Sequence, residues 1–296
     1  MHIVHVIGAR PNLMKVAPVQ RALARRNVRQ TLIHTGQHYD DAMFTALATE
    51  LALPPIDINL EVGSGSHAAQ TSRVMVSLEP QLIALRPDLV ILYGDVNSTM
   101  AAAIVAAKLA IPMAHVEAGL RCGDRTMPEE LNRLVTDRLS SFLFTPSEDA
   151  DANLLHEGVV ASSIHRVGNV MIDSLVRLLP SASAGDLLDR WGLGRKPDLT
   201  PFVFVTLHRP SNVDDPLALQ TLLSQLTAIA RTTPVVFAVH PRTRQRLGGL
   251  DQLTRDLVLT PPLTYLQCLD VQRHASVVVT DWAAFRRRPR SWAFHV

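Results

Sequence analysis

Residues 88–120 read DLVILYGDVNSTMAAAIVAAKLAIPMAHVEAGL. Two short apolar runs, Asp88–Tyr93 and Pro112–Val116, flank a helical pattern over Ser98–Leu109. Both runs are apolar on both faces, as parallel strands are when helices cover the two sides of a sheet. A strand, a helix and a second strand in that order make a βαβ unit with a right-handed crossover. Upstream the rhythm continues with strand patterns at His2–Ile7 and Arg29–Thr35 and helical patterns at Met14–Arg26, Asp40–Leu51 and His67–Leu85. Downstream come a helix at Glu129–Leu139, a strand at Ser141–Thr145 and a helix at Glu148–His156. The rhythm pauses over Pro180–Pro201, where small residues, Gly and Pro collect as in a linker or an inter-domain segment. It resumes with strands Phe202–Thr206, Val235–Val239, Leu257–Leu259 and Val277–Thr280, and helices near Pro216–Arg231 and Tyr265–His274. The pattern predicts an α/β protein of two Rossmann-like domains facing a cleft, 1–180 and 181–296, with the second incomplete.

Bulk composition narrows the function classes. The chain has 296 residues, 47% hydrophobic and 19% charged, enough for a sizeable core. A formal net charge of +2 gives no reason to expect nucleic acid or an anionic membrane as partner. That excess is local, because Arg286, Arg287, Arg288 and Arg290 crowd the last eleven residues. The two cysteines, Cys122 and Cys268, have neither CxxC nor zinc-ligand spacing and read as reduced thiols. MHIVHVIGARPN lacks a basic leader, and no apolar run approaches a membrane span, so a soluble cytoplasmic protein is expected.

Three acidic residues stand where strands end or a helix begins: Asp95, Glu117 and Glu129. In an open α/β sheet the carboxyl ends of the strands form the ligand crevice. Carboxylates gathered there without a metal cage suggest proton chemistry on a bound small molecule. The first strand empties into GARPNLMK, where Gly8 favours a tight turn and Arg10 and Lys15 are placed to meet an anion at the helix start. A plain strand–helix turn with solvated cations is the alternative. In YGDVNST, Gly94 permits a turn, Asp95 projects or organises the loop, and Asn97 or Ser98 is suited to cap the next helix. In HVEAGLRCGDRTMPEELNR, His115 and Glu117 flank the end of an apolar strand, Gly119 provides a turn and Arg121 follows. Pro128 starts a helix with Glu129 and Glu130 in its first turn, where one of the two serves simply to complement the helix dipole. Glu117 is harder to dismiss, because a carboxylate at the mouth of an apolar strand needs a partner. In the second half, His208 with Arg209 follows one strand, and His240 with Arg242 and Arg244 follows another. Two strand-end histidines accompanied by arginines suit a diphosphate or nucleotide.

Taken together, GARPNLMKVAPV, TGQHYDD, YGDVNST, HVEAGLR, RTMPEELNR, VGNVMID, VTLHRPSNVDD and VHPRTR resemble the non-hydrolysing UDP-N-acetylglucosamine 2-epimerases of bacteria and archaea, in order from Met1 to Asp281. The resemblance implies a GT-B-like fold, a UDP-sugar substrate, no metal and no NAD or other cofactor, and commonly a homodimer. It implies C2 epimerisation by elimination and re-addition of UDP. It places Asp95, Glu117, Glu129 and His208 in catalysis, and Arg10, Lys15, His240 and Arg242 on the phosphates. Two departures stand out. Asn12 occupies a position where many members have Glu, and TGQHYDDAM lacks the glutamines that bind a second, activating UDP-GlcNAc in some bacterial members.

After Asp281 the likeness stops, and WAAFRRRPRSWAFHV replaces the expected Ser-Gly-Gly loop and the helix after it. One base deleted from a family-like coding of that segment reproduces Trp282–Val296 in full, so a frameshifted tail is expected. A basic tail selected to bind nucleic acid or anionic lipid is the competing reading. The expected activity is interconversion of UDP-GlcNAc and UDP-ManNAc. The alternatives are an inactive truncated remnant, a GT-B glycosyltransferase and a hydrolysing epimerase.

Overall fold

The computed structural model describes the backbone of residues 1–36, 41–194, 197–207, 210–248 and 250–281. It divides into two compact units between Arg177 and Leu178. In the first unit the strands are β1 His2–Ile7, β2 Arg29–His34, β3 Ile58–Asn59, β4 Leu89–Tyr93, β5 Met113–Val116, β6 Phe142–Thr145 and β7 Ile164–Arg166. The helices between and after them are α1 Arg10–Ala24, α2 Asp41–Glu50, α3 His67–Leu85, α4 Asn97–Lys108, α5 Pro128–Leu139, α6 Glu148–His156 and α7 Val170–Leu178. The sheet is parallel throughout, in the order β3-β2-β1-β4-β5-β6-β7. Strand order reverses between β1 and β4, so the loops that leave those strands diverge and open a crevice at their carboxyl ends.

Both faces of the central strands are buried, as the unbroken apolar runs require. Val4, Val6, Val90 and Leu92 pack under Leu78 and Leu82 of α3 and under Ala102, Ala103 and Ala106 of α4. The small alanines let α4 lie close to the sheet. His5 is the polar exception in β1. Its Nε2 donates to Gln30 Oε1 at 2.9 Å and its Nδ1 accepts from the Tyr93 hydroxyl at 2.7 Å, so the buried ring is fully satisfied and neutral. Burial, only partly offset by the Gln30 contact, depresses its pKa to about 4.

The second unit holds β8 Val203–Leu207, β9 Val235–Val239, β10 Leu257–Thr260 and β11 Val277–Thr280. Its helices are α8 Leu187–Arg190, α9 Pro210–Val213, α10 Pro216–Ala230, α11 Pro241–Arg246, α12 Asp251–Thr254 and α13 Tyr265–His274. This sheet is also parallel, in the order β10-β9-β8-β11, with its reversal between β8 and β11. Asn212 Nδ2 donates to Asp281 Oδ2 at 3.0 Å, tying α9 to the carboxyl end of β11. No helix among the described residues is long and apolar enough to cross a membrane. The tail Trp282–Val296, the subject of the frameshift expectation, lies outside the described residues.

The structure departs from the sequence reading in three places. Pro180–Pro201 is not a free linker: Ala184, Leu188 and Leu193 are buried with Phe202, Phe204, Val236, Val271 and Val278. Its glycines do make turns, with Gly192 and Gly194 at φ +73° and +74°, but its leucines belong to the second unit's core. Helix α1 starts at Arg10 rather than Met14, because Pro11 is preset for a first turn and Asn12 Oδ1 accepts from the Gly8 and Ala9 amides. Strands β3 and β7, two and three residues long, are too short to leave an apolar signature.

Candidate active site

The first unit's crevice is built from the loops after β1, β4 and β5 and the start of α5. At the end of β1, Gly8 serves close approach rather than a special torsion. A Cβ there would collide with the Ser98 side chain at the start of α4. Asn12 spans the gap to β4, accepting from Gly8 and Ala9 and donating through Nδ2 to the Tyr93 carbonyl at 2.9 Å. A Glu at this position could not donate to that carbonyl, so Asn12 makes a different link between the two loops.

Lys15, one turn further along α1, forms an ion pair with Glu117 Oε2. Only 8% of the Lys15 side chain and 18% of the Glu117 side chain are exposed, so each charge depends on the other for compensation. Gly94 makes room for the pair. Its φ is +66°, and an added Cβ would lie 2.6 Å from Lys15 Nζ. Glu117 itself has φ +75°, a conformation that costs a non-glycine residue on the order of 1–3 kcal/mol. The Phe144 carbonyl holds it there by accepting from both the Glu117 and Ala118 amides, at 3.0 and 3.1 Å. Strain maintained in this way aims a half-buried carboxylate at the crevice.

Asp95 is the more open acid, its side chain 33% exposed. Arg133 Nη1 donates to its Oδ2 at 2.6 Å, and Asn132 Nδ2 donates to its carbonyl at 2.8 Å. Asn132 also donates to Asn97 Oδ1, and Asn97 Nδ2 donates to Gln70 Oε1 at 2.8 Å. These long-range partners explain why Asn97 does not cap α4 as expected. Ser98 is likewise engaged elsewhere, with the Thr35 hydroxyl at 2.7 Å, and the cap position falls to Val96.

The two glutamates that open α5 have separate environments. Glu130 is buried and accepts from the Cys122 and Gly123 amides and from Arg133 Nε and Nη2. Burial alone would raise its pKa, but the Arg133 contact and the two amides outweigh burial and bring it down to about 2. Glu129 is half-buried and makes no side-chain hydrogen bond or ion pair among the described residues. Glu130 therefore builds the loop, and Glu129 is the carboxylate left available for a ligand.

Arg133 and Asp137, which line up on α5 behind these acids, went unmarked in the sequence reading. The three-residue spacing from Glu130 to Arg133 was the available signal. Burial would raise the Asp137 carboxylate, but its contacts with His115 and Arg121 outweigh burial and hold it below the usual carboxylate range. Arg10 is exposed at the first position of α1. In the second unit, His240 is exposed immediately before α11. His208 and the side chain of Arg242 lie outside the described residues.

The family model described as UDP-N-acetylglucosamine 2-epimerase matches residues 21–283. The chain belongs to the UDP-N-acetylglucosamine 2-epimerase family. It is 41% identical over 288 residues to a UDP-N-acetylglucosamine 2-epimerase homolog of Methanococcus maripaludis, covering 95% of this chain and 78% of that one. It is 36% identical to the UDP-2,3-diacetamido-2,3-dideoxy-D-glucuronate 2-epimerase of Pseudomonas aeruginosa, with 95% and 78% covered. Among solved structures, the Methanocaldococcus jannaschii UDP-GlcNAc 2-epimerase in complex with UDP-GlcNAc and UDP matches with a TM-score of 0.81 and 35% identity. That match covers 95% of this chain and 79% of the other. The fold is thus the GT-B-like α/β class expected from the sequence.

The buried ionisable groups set an acid limit for this epimerase-family chain. Glu130 binds fewer protons folded than unfolded between its ordinary value near 4.5 and about 2, so its contribution is complete above that window and lost as pH falls through it. His5, neutral when buried, loses stability earlier, as pH falls from about 6.5 towards 4. Thermal melts should show Tm dropping in both windows. In Glu130→Gln the drop below about pH 4.5 should shrink, while the drop above it persists.

Proposed function

We propose that the chain interconverts UDP-N-acetylglucosamine and UDP-N-acetylmannosamine, breaking and remaking the C2–H bond while UDP is eliminated and re-added. The observation that carries this reading is the half-buried, torsionally strained Glu117, charge-paired with Lys15 and facing the same crevice as Asp95. A C2 hydrogen beside the anomeric carbon is weakly acidic, and its removal needs a positioned base. Return of a proton to the opposite face needs a second group, and three carboxylates at the ends of β4 and β5 and the start of α5 provide the candidates.

Asp95, Glu117 and Glu129 are assigned to proton transfer, and His208 of the second unit to the same step. Arg10, His240 and Arg242 are assigned to the diphosphate, whose departure as UDP is eased by cationic donors. Lys15 is assigned to the diphosphate as well, while its ammonium also compensates Glu117. A second reading, favoured by the 36% identity to the P. aeruginosa enzyme, is the same C2 chemistry on UDP-2,3-diacetamido-2,3-dideoxy-D-glucuronate.

Incubating the chain with each UDP-sugar and separating the products tests both. Formation of UDP-ManNAc from UDP-GlcNAc supports the first reading, and turnover of the diacetamido sugar alone supports the second. Transfer of sugar to an added acceptor, without C2 inversion, would make the protein a glycosyltransferase. Release of free ManNAc would make it a hydrolysing epimerase. The two α5 glutamates should separate in the same assay. Glu129→Gln is expected to lower kcat about 100-fold with Tm unchanged, and Glu130→Gln to lower Tm by several degrees.

A further inference from the structure

We propose that His115 is a positioning residue, holding the Asp95 loop and the Glu117 turn in one fixed register from beneath the crevice. His115 lies in β5, two residues before Glu117, with no exposed surface. Its Nε2 faces the Gly94 carbonyl at 2.8 Å, and its Nδ1 faces Asp137 Oδ1 at 2.6 Å. Both partners are acceptors, so both ring nitrogens carry hydrogen.

The Asp137 carboxylate closes the frame. Its Oδ2 accepts from the Gly119 amide at 3.0 Å and from Arg121 Nη1 at 2.8 Å. Arg121 is fixed in turn by Glu157, through two contacts of 2.7 Å. Two cations and two carboxylates leave the network neutral, which makes burial of its charges tolerable. Asp137 therefore grips β5 and its loop on both sides of Glu117, at His115 and at Gly119. His115 passes that grip to Gly94, the residue before Asp95. The Gly94 amide completes the loop by donating to the Val116 carbonyl at 3.1 Å.

Gly94 takes its φ of +66° without strain, as a glycine can, but Glu117 at φ +75° adopts a torsion that a non-glycine residue disfavours. A frame bonded on three sides overdetermines the Glu117 turn, as persistent strain requires. The consequence for chemistry is the spacing of the two acids. Misplacing a reacting group by about 1 Å can cost 10²-fold in rate. His115 touches no substrate in this account and acts only through the backbone it holds.

This inference rests on the proposed epimerase reading for its kinetic test. His115→Gln, which keeps one donor, and Asp137→Asn, which keeps the shape of the carboxylate, should each lower kcat about 100-fold with KM within about threefold of the parent chain. Leu82→Ala, a cavity variant in α3, serves as the control and should lower Tm while leaving kcat intact. Wild-type kcat in both network variants, or a loss no greater than that of Leu82→Ala, overturns the inference. A crystal structure of His115→Gln gives an independent decision. Displacement of the Gly94 carbonyl or relaxation of the Glu117 torsion supports the proposal, and unchanged torsions at both residues overturn it. If the parent chain has no epimerase activity, the functional reading fails, and the crystal structure alone rules on His115.

Discussion

Glu117→Gln is expected to lower kcat for C2 epimerisation by about 10³-fold, with binding of the UDP-sugar changed by less than tenfold. General acid–base catalysis accounts for about 10²–10⁴ in rate, and an amide of the same shape cannot take a proton from carbon. The side chain meets Lys15 in a pocket that leaves 18% of it exposed, so the substitution removes the base without opening the site. A glutamine can still accept from the ammonium, which keeps Lys15 partly compensated. Steady-state kinetics and calorimetric titration with UDP-GlcNAc separate the two effects. A variant that keeps a tenth or more of the parent kcat would move the base to Asp95 or Glu129.

Lys15→Met is expected to cost about 3–5 kcal/mol of stability, because it strands the Glu117 carboxylate in a poorly solvated site. The methionine fills most of the volume left by the lysine stem, so the loss comes from charge rather than from a cavity. Coupling to the partner follows from the geometry: Lys15→Met combined with Glu117→Gln should lose clearly less than the two single losses added together. Urea titrations of the four proteins measure that coupling. A lysine whose only task is to hold a diphosphate predicts otherwise. In that case Lys15→Met raises KM, leaves Tm alone, and shows no coupling to Glu117.

The fold was legible because its signal is local. His2–Ile7 and Asp88–Tyr93 are apolar on both faces, and every residue of β1 is indeed buried. Helix α3 spans His67–Leu85, the range that the sequence pattern predicts, since nineteen residues give the 3.6-residue period room to repeat. Much of the candidate site was legible as well, since Asp95 and Glu117 follow the ends of β4 and β5 and strand ends in an open parallel sheet are where ligands sit. Long-range pairing was not. Nothing local to Lys15 announces a partner 102 residues away, and nothing near Asp137 shows that it braces His115 and Gly119. The reading of Glu129 and Glu130 as a pair in one first turn was correct about the helix. It could not separate them, because the separating facts are amides from Cys122 and Gly123 that the loop folds back to supply. The linker reading failed for the opposite reason: small residues and Pro marked turns, while three buried apolar side chains decided the packing.

The most direct test is to incubate the chain with UDP-GlcNAc in deuterium oxide and follow the C2 position by proton NMR or mass spectrometry. The account predicts one solvent deuteron at C2 in UDP-ManNAc and in returning UDP-GlcNAc, with exchange lost in Glu117→Gln. Epimerised product that retains its original C2 hydrogen would contradict it.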